Sequence, residues 1–194
     1  MPELKPTTAL GADKARNARH GVFTIEENTG LALASLALRR DSIQPAPFGL
    51  DLPGPGLWTG NDRAAALWMA PHQWLIEAEG RAESDFAAEV SAICPGCSVT
   101  EQTDGFVAFE IHSASGEAPI TALMAKLVNI DTSRFGAGSA TRTNLEHLSV
   151  FVIRRAPDRL AILGMRSAAG TLWHALETAA SRISVNVFQE PSQR

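Results

Sequence analysis

The chain has 194 residues, 45% of them hydrophobic and 20% charged, with a formal net charge of -4. That length suits one domain with a substantial interior that needs no staple, and the acidic balance leaves no basic field to condense on phosphate backbones, so nucleic acid is not expected as a partner. No apolar run approaches the roughly 20 residues of a membrane span, and the start lacks the charged-then-apolar layout of a signal peptide, so a cytoplasmic protein is expected.

Residues 1–20 hold Pro2, Pro6, Lys5, Lys14, Arg16 and Arg19 without an apolar period, and are expected to form a flexible N-terminal arm. Gly21 to Glu27 resembles a short first strand. Leu31 to Arg40 is an apolar run compatible with a buried strand or a helix, and a strand ending at Arg39-Arg40 is favoured. Pro45 to Gly56 carries too many prolines and glycines for regular structure and is expected to be a packed connection. Residues 64–93 then give two apolar runs broken at Pro71, followed by an amphipathic helix over 84–93.

From Val99 the pattern predicts a longer strand pair. Within it Val107, Phe109 and Ile111 alternate with Phe106, Ala108, Glu110 and His112, and the first set is the expected inward row. A short helix over residues 116–127 tolerates Pro119 in its first turn and puts Ile120, Leu123, Met124 and Leu127 on one face, with Met124 as core filler. Asn129 to Gly138 is turn chemistry, and Ala140 to Leu145 reads as a strand. Residues 148–180 then repeat the earlier β, β, helix phrase, broken at Ala156-Pro157-Asp158, with a helix from Ser167 to Ala180.

The doubled phrase predicts an α+β fold in which pseudo-duplicated βαβ-type units pack sheet to sheet in one domain. Its expected span is residues 21–188, with pseudo-repeats at approximately 31–95 and 99–182, and residues 189–194 as a C-terminal tail.

No nucleophile or base stands in a readable constellation with an orienting group, so no catalytic, cofactor-binding or metal-binding residue is expected. Cys94 and Cys97 have redox or half-zinc spacing, but they follow the helix, and Pro95-Gly96 reads as the turn that ends it. The histidines His20, His72, His112, His147 and His174 show no paired spacing for a metal. Ser167 is expected to N-cap the last helix. Trp74 and Trp173 are expected in the core along with Trp68, whereas Trp58 is balanced between core and partner surface. Arg39-Arg40 and Arg154-Arg155 end strands and default to a solvated face, and Arg142 is the arginine favoured for partner contact.

Four phrases in order resemble the gamma subunit of heterotetrameric sarcosine oxidase: Ala66 to Ile76, Val99 to Ile111 with Asp104-Gly105 at its turn, Leu127 to Thr143, and Arg166 to Ala179. The resemblance implies the fold of the folate-binding part of glycine-cleavage T-protein-like aminomethyltransferases. It implies a non-catalytic chain in a complex that oxidises sarcosine to glycine, with alpha, beta and delta subunits as partners. FAD, FMN, NAD, tetrahydrofolate and zinc are then expected in those partners, none in this chain, and the isolated chain is open to homodimer formation. A stand-alone folate-binding aminomethyltransferase-like protein of one-carbon metabolism is the alternative. The resemblance also implies Asp131 as a leftover of the acidic folate contact that related aminomethyltransferases use, although Asp in such a loop more often caps a turn.

Overall fold

The computed structural model describes residues 7–187, with eleven strands and three α-helices among them. In chain order these are β1 (Asn17–His20), β2 (Phe23–Asn28), β3 (Ala32–Leu38), β4 (Trp58–Gly60), β5 (Ala65–Ala70), β6 (Gln73–Ala78), α1 (Phe86–Ile93), β7 (Cys97–Glu101), β8 (Phe106–Ser113), α2 (Glu117–Leu127), β9 (Ala140–Leu145), β10 (Leu148–Ala156), β11 (Arg159–Met165) and α3 (Ala169–Val187). Residues 1–6 of the expected arm and the expected tail at 189–194 lie outside the described residues.

The strands form two antiparallel sheets, one ordered β1-β2-β8-β11-β10-β9 and the other β4-β5-β6-β3-β7. Leaving β1 aside, the orders correspond strand for strand: β2-β8-β11-β10-β9 against β7-β3-β6-β5-β4. In each, a hairpin leads into a helix, as β5-β6-α1 and β10-β11-α3. The sheets are stitched at one corner, where Leu57 bridges Ser139 and the Trp58 amide donates to the Gly138 carbonyl at 2.7 Å.

Alternation along the strands builds three apolar layers, because successive side chains point to opposite faces. Val107, Phe109 and Ile111 of β8, Leu160 and Ile162 of β11, and Val150 and Val152 of β10 pack under α2 and α3. Ile120, Leu123 and Met124 from α2 and Leu172, Trp173 and Leu176 from α3 complete that layer. Leu33, Leu67 and Leu75 of one sheet meet Ala108, Phe151, Ile153, Ala161 and Leu163 of the other. Ala34, Leu36, Trp74 and Ile76 face Phe86 and Val90 of α1, closed by Leu50 and Leu52 from the proline-rich connection. The Trp74 indole donates to the Pro53 carbonyl at 2.8 Å, which is how that connection is held without regular structure.

Caps explain the helix ends. Asp85 accepts from the Ala88 amide at 3.0 Å to start α1, and Cys94 closes it before Gly96 turns the chain at φ +86°. Both cysteines are buried and unbridged, and burial, with the neighbouring Cys97 thiol, pushes the Cys94 thiol up to about 11. The turn reading of the pair therefore agrees with the structure.

Three expectations are corrected. Asn17–His20 is an edge strand paired with β2, not part of an arm, and Glu27 ties down the segment before it by accepting from the Leu10 and Arg16 amides, each at 3.1 Å. The segment from Val99 does not open a strand pair in the second half, because β7 pairs with β3 in the first sheet and β2 takes the corresponding place beside β8. Ser167 does not cap the last helix. It lies inside a 3-10 turn, Arg166–Ala168, that runs directly into α3 and has no side-chain cap.

Candidate functional site

A cleft of about 610 Å³ opens where the two sheets part. Its walls come from β2 (Thr24, Glu26), the β4–β5 turn (Asn61 to Ala64), the end of β6 (Glu77 to Glu79), the end of β8 (Glu110 to His112) and the β10–β11 hairpin (Arg155, Arg159). Trp58 forms part of its lining.

Arg155 organises the floor. It is 15% exposed and reaches from β10 to carboxylates of both sheets. Its Nη1 and Nη2 donate to Glu77 at 2.6 and 3.1 Å, and its Nε donates to Glu110 at 3.0 and 3.1 Å. Forked guanidinium–carboxylate pairs of this kind fix geometry as well as charge. The Trp58 indole N–H donates to Glu77, and the guanidinium lies 5.4 Å from the centre of the Trp58 ring. Glu77 is 2% exposed, and these partners satisfy the hydrogen-bonding capacity of its buried carboxylate.

One buried and one half-buried carboxylate share one guanidinium, and the site stays negative. Burial raises the Glu110 carboxyl above the usual range; Arg155 opposes this, while Glu77 and Glu79 add to it. Strand register adds a further acidic contact, because Glu26 on β2 sits directly opposite Glu110 on β8. Sheets usually avoid like charges there. At the rim, the His112 Nε2 lies 3.1 Å from the Asp158 carboxylate, and His112 is flanked across the strands by Thr24 and Arg159.

The default of a solvated face for Arg154-Arg155 is overturned. Arg155 is the inter-sheet clamp, and Arg154 is fully buried on the opposite face of β10, donating to the Pro157 carbonyl and to Glu117. Both signs were in the sequence as single charges inside apolar strands, at Glu77 and at Arg154-Arg155. Their pairing spans 78 positions and has no local signature.

The other singled-out residues disperse. Asp131 accepts from the Ser133 amide at 3.1 Å and hydroxyl at 2.6 Å, the turn cap expected of it. Trp74 and Trp173 are core residues, the latter 5.5 Å from Phe109 between ring centres, and Trp68 is half-buried. Trp58 belongs to the cleft. Arg142 donates to Ser149 at 2.8 Å on the edge strand β9, and His72 and His147 occupy tight turns at positive φ. Among the described residues no group of three or more His, Cys, Asp or Glu gathers into a metal site, and no helix is long and apolar enough to cross a membrane.

No protein-family model matches the chain, and comparison with curated proteins finds no match. The fold is similar to a chain of heterotetrameric sarcosine oxidase from Corynebacterium sp. U-96 in complex with pyrrole 2-carboxylate, with a TM-score of 0.69 and 20% identity, over 86% of this chain and 88% of that one. It is also similar to glycine cleavage system aminomethyltransferase T from Bartonella henselae, with a TM-score of 0.59 and 15% identity, over 84% of this chain and 50% of that one. This chain thus spans about half the length of the aminomethyltransferase. The α+β fold is the one that the four sequence phrases imply.

Proposed function

We propose that this chain is a non-catalytic subunit of a heterotetrameric sarcosine oxidase-type complex, in the place of its gamma subunit, within the cytoplasm. The observation that carries the reading is the near end-to-end likeness to a chain of such a complex, which leaves little of either chain unmatched. The cleft chemistry supports it: the forked bonds from Arg155 to Glu77 and Glu110 make an inter-sheet tether of groups that an acid–base catalyst would need free. The oxidative demethylation of sarcosine then belongs to the partner alpha, beta and delta subunits, which carry FAD, FMN, NAD, tetrahydrofolate and zinc. This chain contributes surface and holds none of them.

The test is co-expression of the tagged chain with the products of its neighbouring genes. A flavin-bearing chain is expected to be retained with it, and the assembled complex is expected to turn over sarcosine while the chain alone does not. Retention of no flavoprotein, or turnover by the isolated chain, overturns the reading.

A second reading, a stand-alone folate-binding aminomethyltransferase-like protein, is favoured by one observation, the 610 Å³ cleft with Glu77 and Glu110 at its base. It requires tetrahydrofolate binding by the isolated chain in calorimetry. The negative cleft weighs against it, because the glutamate carboxylates of a folate would face Glu26, Glu79 and Glu110.

A further inference from the structure

The turn after α1 brings together the two cysteines of the chain. Cys94 ends the helix and Cys97 opens β7, and the Cys97 amide donates to the Cys94 carbonyl at 3.2 Å across Pro95 and Gly96. A turn closed in this way keeps its first and fourth Cα atoms within about 7 Å, and a disulfide spans about 4.4–6.8 Å between Cα atoms. Gly96 supplies the positive φ of the turn, +86°, and Ser42 packs on its outer side, with Oγ 2.8 Å from where a Cβ would stand. The Arg39 amide adds a second hold by donating to the Gly96 carbonyl at 3.1 Å.

The two side chains converge. Cys94 and Cys97 are 1% and 6% exposed and belong to one apolar layer with Leu36, Phe86 and Val90, so both sulfurs lie on the inner side of the turn. They are close enough that charge on Cys97 is felt at Cys94. Among the described residues no third His, Cys, Asp or Glu gathers with them, so the pair lacks the further ligands of a zinc site. The two are also unequal. Cys97 lies on an edge strand whose one neighbour is β3, and Arg39 opposes the rise that burial gives its thiol. Cys94 is the deeper of the two.

We propose that Cys94 and Cys97 are a reversible dithiol–disulfide couple, with Cys97 as the entering thiol and Cys94 as the resolving one, which fastens the end of α1 to β7 when a small-molecule disulfide is in excess. The Cys97 thiol gives its proton to water and its sulfur attacks the small disulfide, expelling one small thiolate and leaving a mixed disulfide at Cys97. The Cys94 sulfur, deprotonated in turn, attacks the Cys97 sulfur, and the second small thiolate leaves. Two S–H bonds of the chain and one S–S bond of the co-reactant become one S–S bond in the chain and two small thiols, so two electrons pass to the co-reactant. Burial keeps both thiols protonated for most of the time, so the couple follows a sustained change in redox poise and does not turn over a substrate. It stands apart from the subunit reading above, because it uses this chain alone.

The experiment incubates the folded full chain with oxidised glutathione, quenches with acid and weighs the intact chain. Wild type is expected to lose two hydrogens, to retain no glutathione, and to regain both hydrogens with dithiothreitol. Cys94→Ala is expected to keep one glutathione at Cys97, because nothing resolves it, whereas Cys97→Ala is expected to keep a free Cys94 thiol over the same period. A wild-type chain that keeps both thiols while the urea-unfolded chain oxidises fully, or that retains glutathione, overturns the couple. Equal glutathione labelling of the two variants overturns the order of attack. The wild-type arm needs no substitution, so it decides the couple even where a variant fails to fold. Wild type oxidised in urea and then refolded is expected to melt roughly 4–8 °C above the reduced chain, the scale of a short loop closed by a disulfide in a chain of this size. A melt at or below that of the reduced chain overturns the geometry on which the couple rests.

Discussion

Replacing Arg155 by alanine removes the centre of the inter-sheet tether and leaves two carboxylates facing each other. Glu77 is 2% exposed and loses both guanidinium bonds, keeping only the Trp58 N–H, while Glu110 loses its fork. Breaking a buried pair from one side strands the other charge, a loss of about 3–5 kcal/mol, and Arg155 at 15% exposure with two acidic partners belongs near the upper end. For a chain of this size that corresponds to a melting temperature lowered by roughly 6–20 °C. The pH dependence identifies the cause. Burial already holds the Glu110 carboxyl above its usual range and Arg155 opposes this, so without Arg155 the folded state binds more protons at Glu110 than the unfolded chain does, and stability is regained as pH falls toward about 4.3. Urea unfolding between neutral and mildly acidic pH measures both effects. Adding Glu77→Leu to Arg155→Ala is expected to recover part of the loss. A loss below about 1 kcal/mol, or one that does not diminish on acidification, refutes the reasoning.

Two further outcomes follow from close packing and burial. Gly164→Ala on β11 places a methyl 2.3 Å from Leu172 Cδ1 of α3 and 3.4 Å from Val150, and is expected to cost about 1–3 kcal/mol in chemical unfolding; pairing it with Leu172→Ala is expected to give less than the sum of the two single losses. The Cys94 thiol, pushed up to about 11, has roughly one part in a thousand as thiolate at pH 8, so alkylation of the folded chain is expected to be far slower than that of a model thiol until unfolding exposes it.

The sequence was most readable where one period dominated. The alternation through β8 and the helical spacing of α2 named the layer of Val107, Phe109, Ile111, Ile120, Leu123 and Met124 correctly, because each element has a face that must be buried. Asn17–His20 escaped notice because an edge strand with one bonded neighbour and polar side chains shows no such alternation. Ser167 fitted a cap by residue type, but the chain enters α3 through a tighter turn, a choice made by backbone geometry. The cleft was least readable. A charged residue usually marks the outside, and only the meeting of two sheets made Arg155 an interior group held by Glu77 and Glu110. Such a site depends on which strands become neighbours, and β6, β8 and β10 are not consecutive in the chain.

The placement of β2 beside β8 has a consequence for how the molecule is made. Every strand of the β4-β5-β6-β3-β7 sheet lies within residues 32–101, so that half can close as soon as its own residues have emerged during synthesis. Phe23 cannot meet Ser113 until some ninety further residues exist, and loops that long are closed late and slowly. Strand β2, made before any strand of that sheet, is therefore among the last to find its seat, and in the interval the apolar residues Phe23 and Ile25 are available to chaperones or to the wrong neighbour.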